Sequence, residues 1–280
     1  MKMTDSHGVT EMPTSHGTAI ARGLYIIGGD DKCVAGYLRP IVEGSLGPGM
    51  APGIPSYVLS RTDNIRFNLP HTPDGTHIYA VADSITDTAL TNFLGAISTL
   101  RVDGLVCIIL ADEAAGAEAE TICREWSRTH SVPLAILRCA MVIGNGMEGR
   151  AKALADAIAT GSYWHISGAD APCSAVCAVD VAALAAAIAG RSATLCVTDG
   201  HEHSTARLID AMAVRLNNKR VLTLAPAAAK WLDRLSPILP WWRRLKTRRL
   251  TPRTLTTSGD SPAEVVPGFT ARNVIDYLRS

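Results

Sequence analysis

The chain carries almost no surplus of either charge. Its 27 lysines and arginines face 26 aspartates and glutamates, for a net charge of +1. That excludes whole-chain electrostatic steering toward nucleic acid. Aromatic residues are scarce, 5% of the chain with three phenylalanines, so base-stacking platforms have little to be built from. No CxxC pair occurs among the seven cysteines, Cys33, Cys107, Cys123, Cys139, Cys173, Cys177 and Cys196, which lie mostly in apolar runs. They read as reduced, buried thiols and as no disulfide framework. No apolar run approaches the ~20 residues that span a bilayer, and the longest candidate, 179–189, is interrupted by Asp180. Residues 1–20 are polar and lack the apolar stretch of a signal peptide, so a loose tail and a cytoplasmic protein are expected. Finally, there is no tyrosine between Tyr79 and Tyr163.

What is present is a chain of 280 residues, 47% hydrophobic and 19% charged, enough to bury a large core. Apolar strands alternate with helices. Strands are expected at 24–28, 57–60, 65–69, 76–82, 104–111 and 133–137, and helices at 34–43, with a break at Pro40, and at 86–100 and 114–129. The near-continuous apolar run 104–111 has the character of a central parallel strand covered on both faces. Such alternation argues an α/β doubly wound parallel sheet. Beyond Gly144 the pattern changes. Alanine-rich helices at 149–160 and 179–189 alternate with short strands at 163–166, 174–177, 195–198 and 221–224. A helix capped by Ser204 or Thr205 runs to about Leu216, and two more follow at 227–235 and 271–278.

The first strand ends in Gly28-Gly29-Asp30-Asp31-Lys32-Cys33-Val34-Ala35-Gly36, a glycine turn opening a helix, where a dinucleotide fold grips pyrophosphate. Tyr57-Val58-Leu59-Ser60-Arg61 forms a second strand closing on a charged residue. Ala117-Glu118-Ala119-Glu120 lies in a helix followed by Val132-Pro133-Leu134-Ala135-Ile136-Leu137-Arg138 and Met141-Val142-Ile143-Gly144. Next come Ser174-Ala175-Val176-Cys177-Ala178-Val179-Asp180-Val181-Ala182, and Thr198-Asp199-Gly200 before the capped helix. In order and spacing these segments resemble the extended short-chain dehydrogenase/reductase superfamily, in its nucleotide-sugar epimerase/dehydratase branch, over about 24–278. The resemblance implies a Rossmann-type sheet over 21–144, after the tail 1–20. A smaller substrate-side lobe over 145–280 is interleaved with the last core strands.

The resemblance also assigns sites. Cofactor contacts fall on Gly28, Gly29, Lys32, Gly36, Arg61 and Ala82, and substrate contacts on Gly144, Asn145, Arg243 and Arg244. An arginine closing the second strand suits a 2′-phosphate, so NADP is the expected dinucleotide ahead of NAD; a solvated arginine is the other reading. Three departures weigh against a working enzyme. The family's glycine pattern falls on Gly29, Lys32 and Ala35 in one frame, or runs from Gly28 to Gly36 in a longer one. Asp30 and Asp31 would compete with an anion for the helix N-terminus. The family's Tyr and Lys, which exchange the substrate's proton and hold the ribose, fall on Asp112 and Gly116, neither of which can act. Lastly, the crossover past Asn68 is trimmed where adenine would lie.

His201-Glu202-His203 offers two imidazoles without a third ligand. It reads as a polar loop before the capped helix, and no metal site is expected. The one patch of charge is Trp231, Trp241 and Trp242 with Arg234, Arg243, Arg244, Lys246, Arg248, Arg249 and Arg253. Three readings are open: a grip on the diphosphate of a nucleotide-sugar, an anionic membrane surface met by 241–249, or a solvated segment with tryptophan anchors. The function expected is a divergent, non-catalytic or weakly catalytic protein that binds a nucleotide, nucleotide-sugar or metabolite. Two alternatives stand beside it. One is an active NADP-dependent reductase, epimerase or dehydratase with acid/base chemistry rebuilt on Tyr163, His165 or Cys177. The other is a peripheral membrane or scaffold protein. A homodimer through helices 86–100 and 114–129 is the expected assembly, with no nucleic-acid partner.

Overall fold

A computed structural model describes residues 24–27, 33–45, 56–59, 76–81, 87–99, 101–110, 114–147, 149–167, 170–217, 221–234 and 259–280. Its elements in chain order are β1 (Leu24–Ile27), α1 (Cys33–Ser45), β2 (Ser56–Leu59), β3 (Thr76–Val81), α2 (Asp87–Ala96), β4 (Val102–Leu110), α3 (Ala114–His130), β5 (Leu134–Cys139), β6 (Met141–Ile143), α4 (Gly149–Ala159) and β7 (Trp164–Ile166). They continue with β8 (Pro172–Cys173), β9 (Ala175–Cys177), α5 (Ala178–Ile188), β10 (Ala193–Val197), β11 (His203–Ser204), α6 (Thr205–Arg215), β12 (Leu222–Leu224), α7 (Pro226–Arg234), α8 (Pro262–Val265) and α9 (Val274–Arg279). The strand expected at 65–69 lies outside the described residues.

Six strands form one sheet in the order β10-β5-β4-β3-β1-β2, every neighbouring pair parallel. β4 shows why both faces must be covered. Leu105, Cys107 and Ile109 point into a cluster with Leu90, Phe93, Leu94 and Trp126 of α2 and α3. Val106 and Ile108 point the other way, into a cluster with Val34 and Leu38 of α1 and Val181 and Leu184 of α5. β5 splits likewise, with Leu134 and Ile136 on one face and Ala135, Leu137 and Cys139 on the other. Apolar side chains on both faces of a strand are what two helix layers demand.

α1 and α5 lie together on one face, and α5 reads Ala-Val-Asp-Val-Ala-Ala-Leu-Ala-Ala-Ala-Ile. Its small side chains let the two backbones approach. Pro40 does not break α1, which runs unbroken from Cys33 to Ser45. The proline is exposed, so its ring sits outside the core, and it leaves the Gly36 carbonyl without its intrahelical donor.

A third cluster lies outside the sheet. Leu154 and Ile158 of α4, Leu208, Ile209 and Met212 of α6, and Val274, Ile275 and Leu278 of α9 pack on Ile143, Cys173 and Cys177. Three two-stranded pairs frame it: β6 with β9 and β7 with β12 in parallel, and β8 with β11 antiparallel. Ser204 caps α6 by accepting from the Arg207 amide at 3.3 Å, as its sequence position predicts. β10 returns to the sheet, and its outer edge is covered by a short strip. The Asp260 amide donates to Thr194 O at 3.0 Å, and the Cys196 amide to Asp260 O at 3.2 Å. Gly259 permits this approach, since a Cβ there would stand 3.0 Å from Cys196 N and 3.1 Å from Thr194 O.

Candidate functional site

The strand order reverses between β1 and β3, and open α/β sheets bind ligands at such a switch point, beyond the carboxyl ends of the strands. Gly28, Gly29, Lys32, Asn68, Arg61, Ala82, Asp112, Arg243 and Arg244 lie outside the described residues. Gly36, Gly116, Gly144 and Asn145 are described.

α1 opens at the switch point on Cys33, which has φ 49°, a left-handed conformation that costs a side-chain-bearing residue about 1–2 kcal/mol. The Cys33 amide donates to the Asn145 carbonyl at 3.0 Å. The turn Gly144-Asn145-Gly146, predicted as substrate-side, is thereby brought against the first turn of the helix predicted to receive pyrophosphate. It also occupies one of the amides that an anion would use. Gly144 is buried, and a Cβ on it would lie 2.7 Å from Ala178 Cβ and 3.4 Å from the Tyr37 ring. The missing side chain thus lets β6 pass between α1 and α5. Gly36 is half-buried on α1.

Near this turn, the Tyr37 and Tyr277 hydroxyls meet at 3.3 Å, joining α1 to α9. Burial, and then the hydrogen bond with Tyr37, push the Tyr277 phenol up to about 12. Burial, reinforced by the charges of Asp180 and Asp199, pushes the Cys177 thiol up to about 12. Both groups hold their protons at neutral pH, the opposite of what a nucleophile or general base requires. Tyr163 and His165 are half-buried at the β7 end of the outer lobe, where β7 pairs with β12.

α3 is the helix on which the resemblance places the catalytic pair. Its sequence, Ala-Ala-Gly-Ala-Glu-Ala-Glu-Thr-Ile-Cys-Arg-Glu-Trp-Ser-Arg-Thr-His, holds neither tyrosine nor lysine, and Gly116 is buried in its first turn. Glu120 instead ties the helix to the sheet. It accepts from Arg138 Nη2 at 2.8 Å and Nε at 3.1 Å, and from Arg124 Nε at 2.9 Å. Burial works to raise the carboxyl, but the bonds from Arg138 and Arg124 outweigh it and hold the acid below the usual glutamate range. Two segments that carry the resemblance, the one with Glu120 and the one with Arg138, thus meet in space.

Two buried carboxylates hold the C-terminal segment. Asp180 accepts from the Arg272 amide at 2.8 Å, with Arg272 Nε 3.5 Å away. Asp199 accepts from the Val274 amide at 2.9 Å, the His201 amide at 3.0 Å and His203 Nε2 at 2.5 Å. This corrects the expectation of a polar loop at 201–203. His201 and Glu202 are exposed, but His203 is buried and paired, because Asp199 stands four residues before it. Among the described residues no group of three or more His, Cys, Asp or Glu could hold a metal ion. The sequence signal for this pair was present in Asp199-Gly200-His201-Glu202-His203. Burial of the aspartate, which makes the pair legible, is a matter of tertiary packing, in which α9 supplies the Val274 amide. A cleft of about 700 Å³ opens beside the same loop, at the carboxyl end of β10.

No helix among the described residues is long and apolar enough to cross a membrane. No family model matches the chain, and no curated protein matches it in sequence. Solved structures do. The WbmF enzyme of Bordetella bronchiseptica, in complex with NADH, superposes with a TM-score of 0.59 at 16% identity, over 94% of this chain and 92% of that one. The UDP-N-acetylglucosamine 4-epimerase of Bacillus cereus gives 0.62 at 11% identity, over 92% and 94%. RMD of Pseudomonas aeruginosa, complexed with NADPH, gives 0.59 at 16%, over 92% and 96%. At these identities the likeness shows the fold, which is the one the resemblance implies.

Proposed function

We propose that this chain, on the Rossmann-type fold it shares with nucleotide-sugar epimerases and NADPH-binding enzymes, binds a nucleotide or nucleotide-sugar without turning it over. One observation carries the reading: the helix following β4, Ala114–His130, has no tyrosine or lysine with which to move a substrate proton. The raised Cys177 and Tyr277 groups support it, since neither is poised to take that role. The ligand would lie beyond the carboxyl ends of β1 and β3, against the Asn145 turn, with Gly28, Gly29, Lys32, Gly36, Arg61 and Ala82 as proposed contacts to a dinucleotide and Gly144, Asn145, Arg243 and Arg244 on the substrate side.

Calorimetric titration with NADP, NAD and UDP-glucose tests it. Saturable binding of at least one, with no hydride transfer and no sugar conversion, is expected. Turnover of a nucleotide-sugar overturns the non-catalytic reading; failure of all three to bind at millimolar concentration overturns the binding reading.

A second reading, docking on an anionic membrane surface, has one observation behind it: Trp231 on α7 is 62% exposed, beside an exposed Arg234. Liposome flotation of the Arg243→Glu, Arg244→Glu variant tests it, and equal flotation of both forms counts against it. The proposed homodimer, through α2 and α3, is checked by light scattering on the eluting protein.

A further inference from the structure

The cleft beside β10 is separate from the switch point. β10 is the sheet's edge, four strands from β1, or about 19 Å at the usual ~4.8 Å spacing. Its walls come from Ser174, from Cys196 and the loop after β10, and from 259–271, so it shares no residue with the proposed nucleotide contacts. At about 700 Å³ it is in the range of small-molecule sites.

Its chemistry is one-sided. Three carboxylates line it, Asp199, Glu202 and Asp260, and no lysine or arginine occurs among the described residues that do. Asp199 is fully buried, and its oxygens are taken by His203 and two amides, so it contributes field and not a contact. Glu202 and Asp260 are exposed at the rim. Among the described lining groups a phosphate-bearing ligand would face the two rim carboxylates against a single imidazole, that of His201. A metal ion is not the fit either, because the acidic and imidazole groups do not converge. Phe269, half-buried, and Pro262 give the remaining wall an apolar face.

We propose that this cleft is a binding site for a small organic cation, an amine with an apolar ring or chain, held by Glu202 and Asp260 with its body against Phe269. This does not depend on what binds at β1 and β3.

Three probes of one skeleton separate the terms: phenethylamine as the cation, phenethyl alcohol as its neutral analogue and phenylacetate as the anion. Calorimetry on the full chain should show saturable binding of the amine, weaker binding of the alcohol and none of phenylacetate. The double variant Glu202→Gln, Asp260→Asn should weaken the amine about tenfold or more, as loss of charge-assisted contacts does. Asp156→Asn on α4, another exposed carboxylate, remote in sequence from the cleft, should leave it unchanged. Circular dichroism confirms that the variants fold, as expected for rim residues. No saturable binding of the amine, equal affinity for amine and alcohol, binding of phenylacetate, or equal loss in Asp156→Asn overturns the proposal.

Discussion

The carboxylate of Asp199 and the amide of Val274, 75 residues apart in the chain, meet at 2.9 Å in the interior. The same carboxylate oxygen faces His203 Nε2. One side chain therefore fixes both the loop leaving the sheet and the start of the last helix. Replacing it strands the His203 imidazole and the Val274 amide in the interior, and leaves the half-buried His201 amide without its acceptor. Asp199→Ala should lower unfolding free energy by about 3–5 kcal/mol, and Asp199→Asn by less, as urea denaturation would measure.

Gly144→Ala tests the packing of α1 against α5. Its new methyl would stand 2.7 Å from Ala178 Cβ, so a loss of about 1–3 kcal/mol is expected. The double change Gly144→Ala, Ala178→Gly removes the clash. It should recover most of that loss, less the ~0.5–1 kcal/mol that glycine costs in a helix. Absence of recovery would show that the glycine is needed for something other than space.

Acid should act through Glu120. Its folded-state acidity lies below the ordinary glutamate value of ~4.3, so its bonds to Arg138 and Arg124 contribute fully above that pH and are lost as pH falls through the folded value. Glu120→Gln should therefore be less stable than the parent at neutral pH, by about 1–3 kcal/mol, and the difference should shrink in acid. Thermal melts across this range would show it.

At the other end of the scale, Tyr277 ionises late. Its stabilisation is complete below the ordinary phenol value of ~10 and is lost as pH rises through about 12. Ultraviolet titration should find one phenol near that value, and Tyr277→Phe should remove it at a cost of about 0.5–1.5 kcal/mol for the bond to Tyr37.

The thiols give a simpler measurement. Six of the cysteines are buried and Cys196 is half-buried. Burial raises Cys173 and Cys177, and the hydrogen bond with Cys123 raises Cys107. Native protein should offer a disulfide reagent one accessible thiol, Cys196, and all seven only after denaturation.

The sheet was legible in the sequence because its determinants are local. The run in β4, the alternation of helix and strand, and Ser204 ahead of α6 each signal their state without knowledge of neighbours. Pro40 does not break its helix because a proline on an exposed helix face is tolerated, and exposure is a tertiary fact. His203 reads as loop in the sequence because nothing in five residues of polar sequence says that Asp199 will be buried. The amide of Cys33 against Asn145 joins positions more than a hundred residues apart, so neither residue announces the contact. In Glu120 and Arg138 the sequence supplied two segments in order, and only the fold joined them.

The strip at Gly259 and Asp260 has a consequence for association. It occupies the hydrogen-bonding rim of the sheet's last strand, supplying a donor to Thr194 and an acceptor to Cys196. A chain cut short before this strip would carry a bare rung, open to the same strand of a second molecule. The C-terminal segment thereby closes the sheet's edge to strand pairing as well as completing its outer lobe, and in a molecule whose net charge is near zero there is little mutual repulsion to take over that duty.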